Sequence, residues 1–137
     1  MAVADPPVQV LDTSALLALR GDEEGADRVE ALLDEASGGS TTVLVSFMTR
    51  MELLYVVWRE EGEESARGAV RLVDSFPVEW VGCEPGILDR SARVKSAGGL
   101  SVADAWIAAT AMEREGVLVH CDPEFENVPD LREERIA

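Results

Sequence analysis

Short runs with strand character alternate with longer helical patterns along the whole chain. The predicted strands are Val8 to Leu11, Val43 to Ser46, "VEWVGC", "VLVHC" and a weakly patterned edge strand in the tail. The predicted helices are "SALLAL", "EGADRVEALLDEA", "TRMELLYVVWREEG", "SARGAVRLVDSF", "PGILDRSARVKSA" and "SVADAWIAATAMEREG". Strands that alternate with helices indicate an α/β fold with a mainly parallel central sheet.

The spacing of apolar residues predicts which helix faces point into the core. Val29, Leu32 and Leu33 recur at i, i+3 and i+4 in the second helix, which predicts one buried face. The third helix is apolar on nearly every side between Leu53 and Trp58. A helix of that kind is buried on two sides, so we expect one face in the core and another against a partner.

The length and composition fit one globular domain that spans residues 1–137. Hydrophobic residues make up 47% of the chain, which is enough for a core. No apolar run approaches the ~20 residues that a membrane-spanning helix needs. The opening "MAVADPPVQV" lacks the basic and apolar regions of a secretory signal, so we expect a cytoplasmic protein. Cys83 and Cys121 form no C-x-x-C motif and are expected to be free thiols.

The chain is strongly acidic, with 27 acidic residues against 12 basic ones and a formal charge of −15. Such a charge repels nucleic acid at long range and disfavours a groove-binding protein. It does not exclude a nuclease, because metal ions neutralise an acidic site locally. Two explanations of the acidity stand side by side, adaptation to a salty cytoplasm and binding to a basic partner protein.

Four acidic residues stand at related places in the predicted fold. Asp12 follows the first strand, Glu52 lies in the helix after the second strand, and Asp122 follows the fourth strand. Segments that leave the carboxyl ends of parallel strands meet at one edge of the sheet, where ligand sites form. Asp104, in the first turn of the sixth helix, reaches that edge only if the helix begins there.

These four acids, if they meet, define a candidate metal site. Carboxylates within ~6 Å of one another repel, and some bind protons near neutral pH unless a cation is present. Hard oxygen ligands favour Mg²⁺ or Mn²⁺ over zinc, and such an ion promotes phosphodiester hydrolysis. A zinc site at His120 and Cys121 is disfavoured, because adjacent strand residues point to opposite faces and His120 is the only histidine.

Each acid also has a purely structural interpretation. The stretches "TRME" and "SVAD" both match the S/T-x-x-E/D capping box, in which the final acid only satisfies a helix N-terminus. Asp12 and Asp122 are residue types that also begin turns. Capping and metal binding are compatible, because a carboxylate at a helix end can face outward. The spacing alone therefore leaves both interpretations open.

Three stretches resemble, in order, the acidic motifs of the PIN-domain ribonucleases: "VLDTSALLAL", "MELLYVV" and "LSVADAWIAATAMEREGVLVHCDPEF". The resemblance is greatest to the VapC-type toxins of bacterial and archaeal toxin–antitoxin pairs, and it spans roughly Val8 to Leu131. It implies a three-layer α/β/α domain with a parallel sheet. It also implies a Mg²⁺- or Mn²⁺-dependent endoribonuclease that cuts single-stranded or structured RNA.

The resemblance implies roles for individual residues. The family's acidic and hydroxyl positions fall on Asp12, Glu52, Asp104, Asp122, Thr13 and Ser14. Asp12 and Asp104 would hold the principal metal ion, with Asp122 bound directly or through water. Glu52 would orient or activate the attacking water or bind a second ion. Ser14 would hold a metal-bound water.

The last motif departs from the family pattern, which has Thr, a variable residue, Asp, a variable residue and then Asp-Phe. Here His120 stands at the threonine position and Glu124 at the second acid. Loss of the threonine hydroxyl weakens the support of Asp122 unless His120 replaces it as a hydrogen-bond donor. We therefore expect reduced activity or a changed metal preference. Glu124 is either an outer ligand or a solvent-facing acid.

The resemblance further implies binding partners. VapC-like proteins commonly dimerise, and an antitoxin segment blocks their acidic site with a basic side chain. The expected partners are thus an RNA substrate, a cognate antitoxin and a second copy of the chain, and the apolar surplus of "LLYVVW" fits such contacts. Two alternatives stand: a non-catalytic PIN-like interaction module and a housekeeping RNA-processing nuclease without an antitoxin.

Basic residues near the predicted site are few. Arg90, Arg93 and Lys95 lie on the helix that precedes "GGLSVAD". They either contact phosphate or form a solvated face.

Overall fold

A computed structural model of the chain describes residues 4–137. Its strands are β1 (Val8–Leu11), β2 (Thr42–Ser46), β3 (Glu79–Val81), β4 (Val117–His120) and β5 (Glu133–Arg135). Its helices are α1 (Thr13–Arg20), α2 (Ala26–Ser37), α3 (Phe47–Glu61), α4 (Glu63–Asp74), α5 (Pro85–Ser96) and α6 (Val102–Glu113). A 3₁₀ helix, Pro123–Asn127, which the sequence pattern did not predict, separates β4 from β5.

The five strands form one parallel sheet in the order β3-β2-β1-β4-β5. Val10 in β1 is paired with Leu44 on one side and with Leu118 on the other. The chain leaves β1 towards β2 and later returns to the opposite side of β1 as β4. The space between the ends of β1 and β4 is therefore the topological switch point, where ligand sites form in open α/β sheets.

Two hydrophobic cores cover the two faces of the sheet. Leu11 and Val45 face a core that is completed by α1 to α4. Val10 and Leu44 face a second core that is completed by α5 and α6. Successive strand residues point to opposite faces, so β1 and β2 serve both cores at once. The predicted three-layer α/β/α architecture is confirmed, and α2 buries Val29, Leu32 and Leu33 as its spacing predicted.

Helix α6 begins where the sequence predicted. Ser101 precedes it, and the Ser101 Oγ accepts a hydrogen bond from the Asp104 N–H at 3.1 Å. From Ala105 to Ala111 every residue is buried, because the helix lies between the sheet and α5. The deep packing of α6 fixes the position of Asp104 in its first turn.

Helix α3 begins earlier than the sequence predicted. Its N-cap is Ser46, whose Oγ accepts a hydrogen bond from the Met48 N–H at 3.2 Å. Thr49 is therefore a buried residue inside the helix, and the interpretation of "TRME" as a capping box is wrong. Glu52 lies in the second turn of α3, where no helix terminus needs its carboxylate.

One side of α3 packs in the core and the other remains exposed. Leu53 and Val57 are buried, whereas Tyr55 and Trp58 are 43% and 42% exposed. The predicted core-facing side is thus confirmed, and a partner on the other side stays a prediction.

Cys83 and Cys121 are both free thiols, as the sequence predicted.

Within residues 4–137, no helix is both long enough and apolar enough to cross a bilayer.

Candidate metal centre

The carboxyl edge of the sheet brings the four predicted acids together. Ligand oxygens of Asp12, Glu52 and Asp104 all lie within 4.8 Å of one another, and we call this group the inner triad. Oxygens of Asp104, Asp122 and Glu124 lie equally close and form the outer triad. Asp104 belongs to both groups and links them, so Glu124 is part of the cluster although its side chain is exposed.

Asp12 is held at the switch point by backbone hydrogen bonds. Its N–H donates to the Val119 carbonyl of β4 at 3.0 Å. Its Oδ2 caps α1 by accepting from the Ser14 N–H at 3.1 Å. Asp122 acts in the same way at the end of β4, where its Oδ1 accepts from the Glu124 N–H at 2.9 Å. Both aspartates therefore cap a helix and also reach the cluster, so the two interpretations left open by the sequence hold together.

The second oxygen of Asp12 has no protein partner. The residue is only 3% exposed, and the Ser14 Oγ donates to Oδ2 at 2.5 Å. Within residues 4–137, the buried Oδ1 accepts no hydrogen bond. An unsatisfied buried carboxylate oxygen costs about 1–3 kcal/mol or more, and a cation is the ligand that satisfies it. The residues present therefore fit a bound metal ion.

Two hydroxyl groups hold the acids in place. The Thr13 Oγ1 donates to the Glu52 Oε1 at 2.7 Å and lies 3.1 Å from the Thr49 Oγ1. The Ser14 Oγ, besides donating to Asp12, accepts a hydrogen bond from the Cys121 N–H at 2.9 Å. Ser14 thus ties the end of β1 to the end of β4. Its predicted contact with a metal-bound water stays a prediction.

No basic side chain neutralises the cluster. Among residues 4–137, none of the salt bridges involves Asp12, Glu52, Asp104 or Asp122. Burial raises the pKa of Asp12, and the nearby Glu52 raises it further. Burial and the charge of Asp104 likewise raise the pKa of Glu52. Burial, followed by repulsion from Asp12, raises the pKa of Asp104 to about 6. The cluster therefore takes up protons or a cation close to neutral pH.

His120 supports Asp122, but not in the way expected. The ring is fully buried, and its Nδ1 accepts a hydrogen bond from the Asp122 N–H at 3.1 Å. Its Nε2 lies 2.8 Å from the Glu133 Oε2 in β5. Since Nδ1 accepts, the ring proton is on Nε2 and is donated to Glu133. The expectation that His120 donates to Asp122 is wrong in direction, because the backbone N–H is the donor.

Sequence reasoning missed two supporting residues. Thr49 contacts Thr13 in the hydroxyl network, although its spacing to Glu52 had suggested a helix cap. Glu133 holds the His120 ring from a tail with little pattern. Both contacts join distant parts of the chain, so no local sequence signal could have identified them.

Two of the three basic residues of α5, Arg90 and Arg93, pair with surface acids outside the cluster. Arg90 pairs with Glu113, and the Arg93 Nη2 lies 3.0 Å from the Asp89 Oδ2. This arrangement fits the solvated-face interpretation, and a contact with phosphate stays a prediction.

Comparison with known proteins identifies the family. Residues 10–131 match the family model of the PIN domain. The chain therefore belongs to the PIN-domain family, and its acidic stretches correspond to the resemblance described from the sequence. A search of curated protein sequences finds no match.

Solved structures with this fold include toxin–antitoxin complexes. DNA-bound VapBC from Salmonella typhimurium has a TM-score of 0.77 and 21% identity, over 96% of this chain and 99% of that chain. VapBC2 from Rickettsia felis, bound to a promoter DNA fragment, has a TM-score of 0.76 and 19% identity, over 95% and 99%. VapC20 from Mycobacterium tuberculosis, a toxin that cleaves the sarcin–ricin loop, has a TM-score of 0.66 and 20% identity, over 90% and 98%. At these identities the similarity establishes a shared fold.

Proposed function

We propose that this protein is a metal-dependent endoribonuclease that hydrolyses RNA phosphodiester bonds, and that it is the toxin of a VapBC-type toxin–antitoxin pair. One observation carries the proposal: a member of the PIN-domain family presents an inner triad with an unsatisfied, buried Asp12 Oδ1. Family membership and the acidic cluster together support a nuclease. The all-carboxylate donor set supports the proposed metal dependence.

The inner triad would hold Mg²⁺ or Mn²⁺. Its donors are all carboxylate oxygens, which these hard cations prefer. His120 does not compete as a ligand, because both of its ring nitrogens are already engaged. When bound, the ion lowers the pKa of water and stabilises negative charge on a phosphate oxygen. Asp122 would join from the outer triad, directly or through water.

Glu52 is the group best placed to orient or deprotonate the attacking water. Its carboxylate lies in the inner triad and is oriented by the Thr13 hydroxyl at 2.7 Å. In the metal-free protein, burial raises the pKa of Glu52. The Thr49 Oγ1 lies 3.1 Å from the Thr13 Oγ1, so Thr49, Thr13 and Glu52 form one connected group of side chains.

The structural neighbours support an antitoxin as partner, since several are VapBC complexes. The acidic cluster, which no salt bridge within residues 4–137 neutralises, would attract a basic side chain of the antitoxin. The exposed apolar side of α3, with Met51, Tyr55 and Trp58, supports a protein contact, either with the antitoxin or in a homodimer. We place the protein in the cytoplasm, where it would meet RNA.

The proposal is tested with metal-stripped protein and a single-stranded RNA. We expect cleavage with Mn²⁺ or Mg²⁺ and none in EDTA. Asp12→Asn should lose at least about a hundredfold in rate, because it removes a ligand charge from the inner triad. Asp27→Asn, at an exposed helix position outside both triads, serves as the matched control. Wild-type protein that cleaves no RNA with Mn²⁺, and that is as harmless in cells as Asp12→Asn, would refute the proposal.

A further inference from the structure

A cavity of about 380 Å³ opens beside the outer triad. Its walls come from the last turns of α5, from residues 97–100, from Met112 of α6 and from residues around the end of the 3₁₀ helix. Glu124 lines this cavity and also belongs to the outer triad, so the two adjoin. We propose that the cavity is a nucleobase-binding subsite, which receives the base of a nucleotide next to the bond that is cut. The proposal rests on the ribonuclease function proposed above.

The chemistry of the walls suits a nucleobase. Val94, Leu100, Met112 and Val128 supply apolar surface for the faces of the ring. The Asn127 side chain at the wall carries both a hydrogen-bond donor and an acceptor, which a base edge requires. Pockets for small ligands typically measure about 300–1,000 Å³, so a cavity of about 380 Å³ is of a size for a single nucleoside.

The charges at the cavity favour a nucleotide over a protein partner. Arg90 and Arg93 both line it, in a chain whose formal charge is −15. The Arg93–Asp89 pair is highly exposed, at 76% and 69% of each side chain, and such pairs are weak. The Arg93 guanidinium can therefore move to a phosphate at little cost, where charge-assisted hydrogen bonds are stronger. Such a contact suits a nucleotide, which carries a phosphate beside its base.

The cavity and the acidic cluster are connected by the loop that leads into α6. Gly98 and Gly99 have φ values of +87° and +91°, in the left-handed region that favours glycine. A Cβ at either position would meet no atom within 4 Å, so the mouth of the cavity is free of side chains there. Two residues later the Ser101 cap starts the helix that carries Asp104. A base in the cavity would thus lie next to the outer triad, with which the cavity shares Glu124.

The test blocks the cavity by replacing an exposed residue of its wall with a larger one. Ala97 lines it, is exposed and has a right-handed φ of −72°, so Ala97→Trp is accepted by the backbone and blocks the space. Ala92→Trp, also exposed on α5 but outside the cavity, is the matched control. Each variant is assayed in the full chain with Mn²⁺ on short RNAs in which one base flanking the cleaved bond is varied. Mn²⁺ affinity is measured in parallel.

We expect wild-type protein to prefer one base at a single flanking position by roughly tenfold in kcat/KM, because the Asn127 side chain can hydrogen-bond to the edges of only some bases. Ala97→Trp should abolish that preference and raise KM about tenfold, with Mn²⁺ affinity unchanged, whereas Ala92→Trp should change neither. Arg93→Ala should raise KM a few-fold. Its control is Arg67→Ala, which removes another exposed arginine paired at i and i+4.

Wild-type kcat/KM and base preference in Ala97→Trp would overturn the subsite. Loss of antitoxin binding in that variant, with RNA cleavage unchanged, would also overturn it and assign the cavity to the protein partner. If wild-type protein cleaves no RNA at all, the proposed function fails instead. The subsite is then tested separately by titrating wild type and Ala97→Trp with the four nucleoside monophosphates, and equal binding by the two proteins would refute it.

Discussion

Replacing Asp104 by asparagine should stabilise the metal-free protein while it removes metal binding. Asp104 is the residue shared by the inner and outer triads, and burial together with Asp12 raises its pKa from 3.8 to about 6. Asparagine keeps the shape of the side chain and removes its charge. The backbone part of the helix cap is kept, because the Ser101 Oγ accepts its hydrogen bond from the backbone N–H of residue 104.

The size of the expected stabilisation follows from the raised pKa of Asp104. A shift of about two units corresponds to about 3 kcal/mol. Because the Asp104 side chain is half-buried and partly screened by water, we reduce the figure to about 1–2 kcal/mol. For a domain of this size, the expected rise in Tm of Asp104→Asn over wild type is about 3–6 °C in EDTA at pH 8.

The stability that Asp104→Asn gains over wild type should increase with pH. The penalty for wild type is absent only well below the unfolded pKa of 3.8, where the carboxyl is protonated in both states, so wild type and variant should differ little at pH 4. The penalty for wild type grows as pH rises from the unfolded pKa to the folded value near 6, and it is complete above that. Saturating Mn²⁺ should reverse the order at pH 8, because only wild type keeps the full ligand set.

The assay is thermal melting at pH 4 and pH 8, in EDTA and in Mn²⁺. Asp27→Asn is the control, since Asp27 also lies in the first turn of a helix but is exposed and outside the cluster. It should lower Tm slightly by removing a favourable interaction with the helix dipole. An unchanged or lowered Tm for Asp104→Asn in EDTA at pH 8 would refute the reasoning.

The remaining predictions concern the supports of the cluster. His120→Phe leaves the Asp122 N–H and the Glu133 carboxylate without a partner, so denaturant melts should show a loss of about 2–4 kcal/mol, and Mn²⁺ should bind more weakly. Ser14→Ala should cost about 1–3 kcal/mol by the same measurement, because the Cys121 N–H loses its acceptor; unchanged melts would contradict this. The ¹⁵N chemical shifts of the single histidine should report a proton on Nε2 at neutral pH, and a proton on Nδ1 would contradict the hydrogen-bond assignment.

The parts of the fold that depend on local pattern could be predicted from the sequence. Val10 and Leu11 belong to an apolar run typical of a buried parallel strand, and they do serve the two cores. Asp12 and Asp122 directly follow strands, so a parallel sheet alone places them at one edge. The position of Asp104 could not be predicted in this way, because only the packing of α6 brings the N-terminus of that helix to the same edge.

The parts that depend on distant contacts could not be predicted. Both Ser46 and Thr49 are residue types that cap helices, and only the extent of β2 decides in favour of Ser46. The side chain of Thr49 is then free to contact Thr13, a contact across 36 positions. The proton on His120 is located by Glu133 in a strand of three residues, which has no hydrophobic pattern of its own. The cavity beside Glu124 likewise exists only once α5, α6 and the 3₁₀ helix are assembled.

The position of β1 in the middle of the sheet has a consequence for the protein during its own translation. Asp12 leaves the ribosome early, but β4, whose Val119 carbonyl accepts the hydrogen bond from the Asp12 N–H, is synthesised after all six helices. Glu133, which holds His120 beneath Asp122, follows later still. Until β4 inserts beside β1, the nascent chain lacks the complete set of carboxylates. The chain therefore completes its acidic cluster only near the end of its own synthesis.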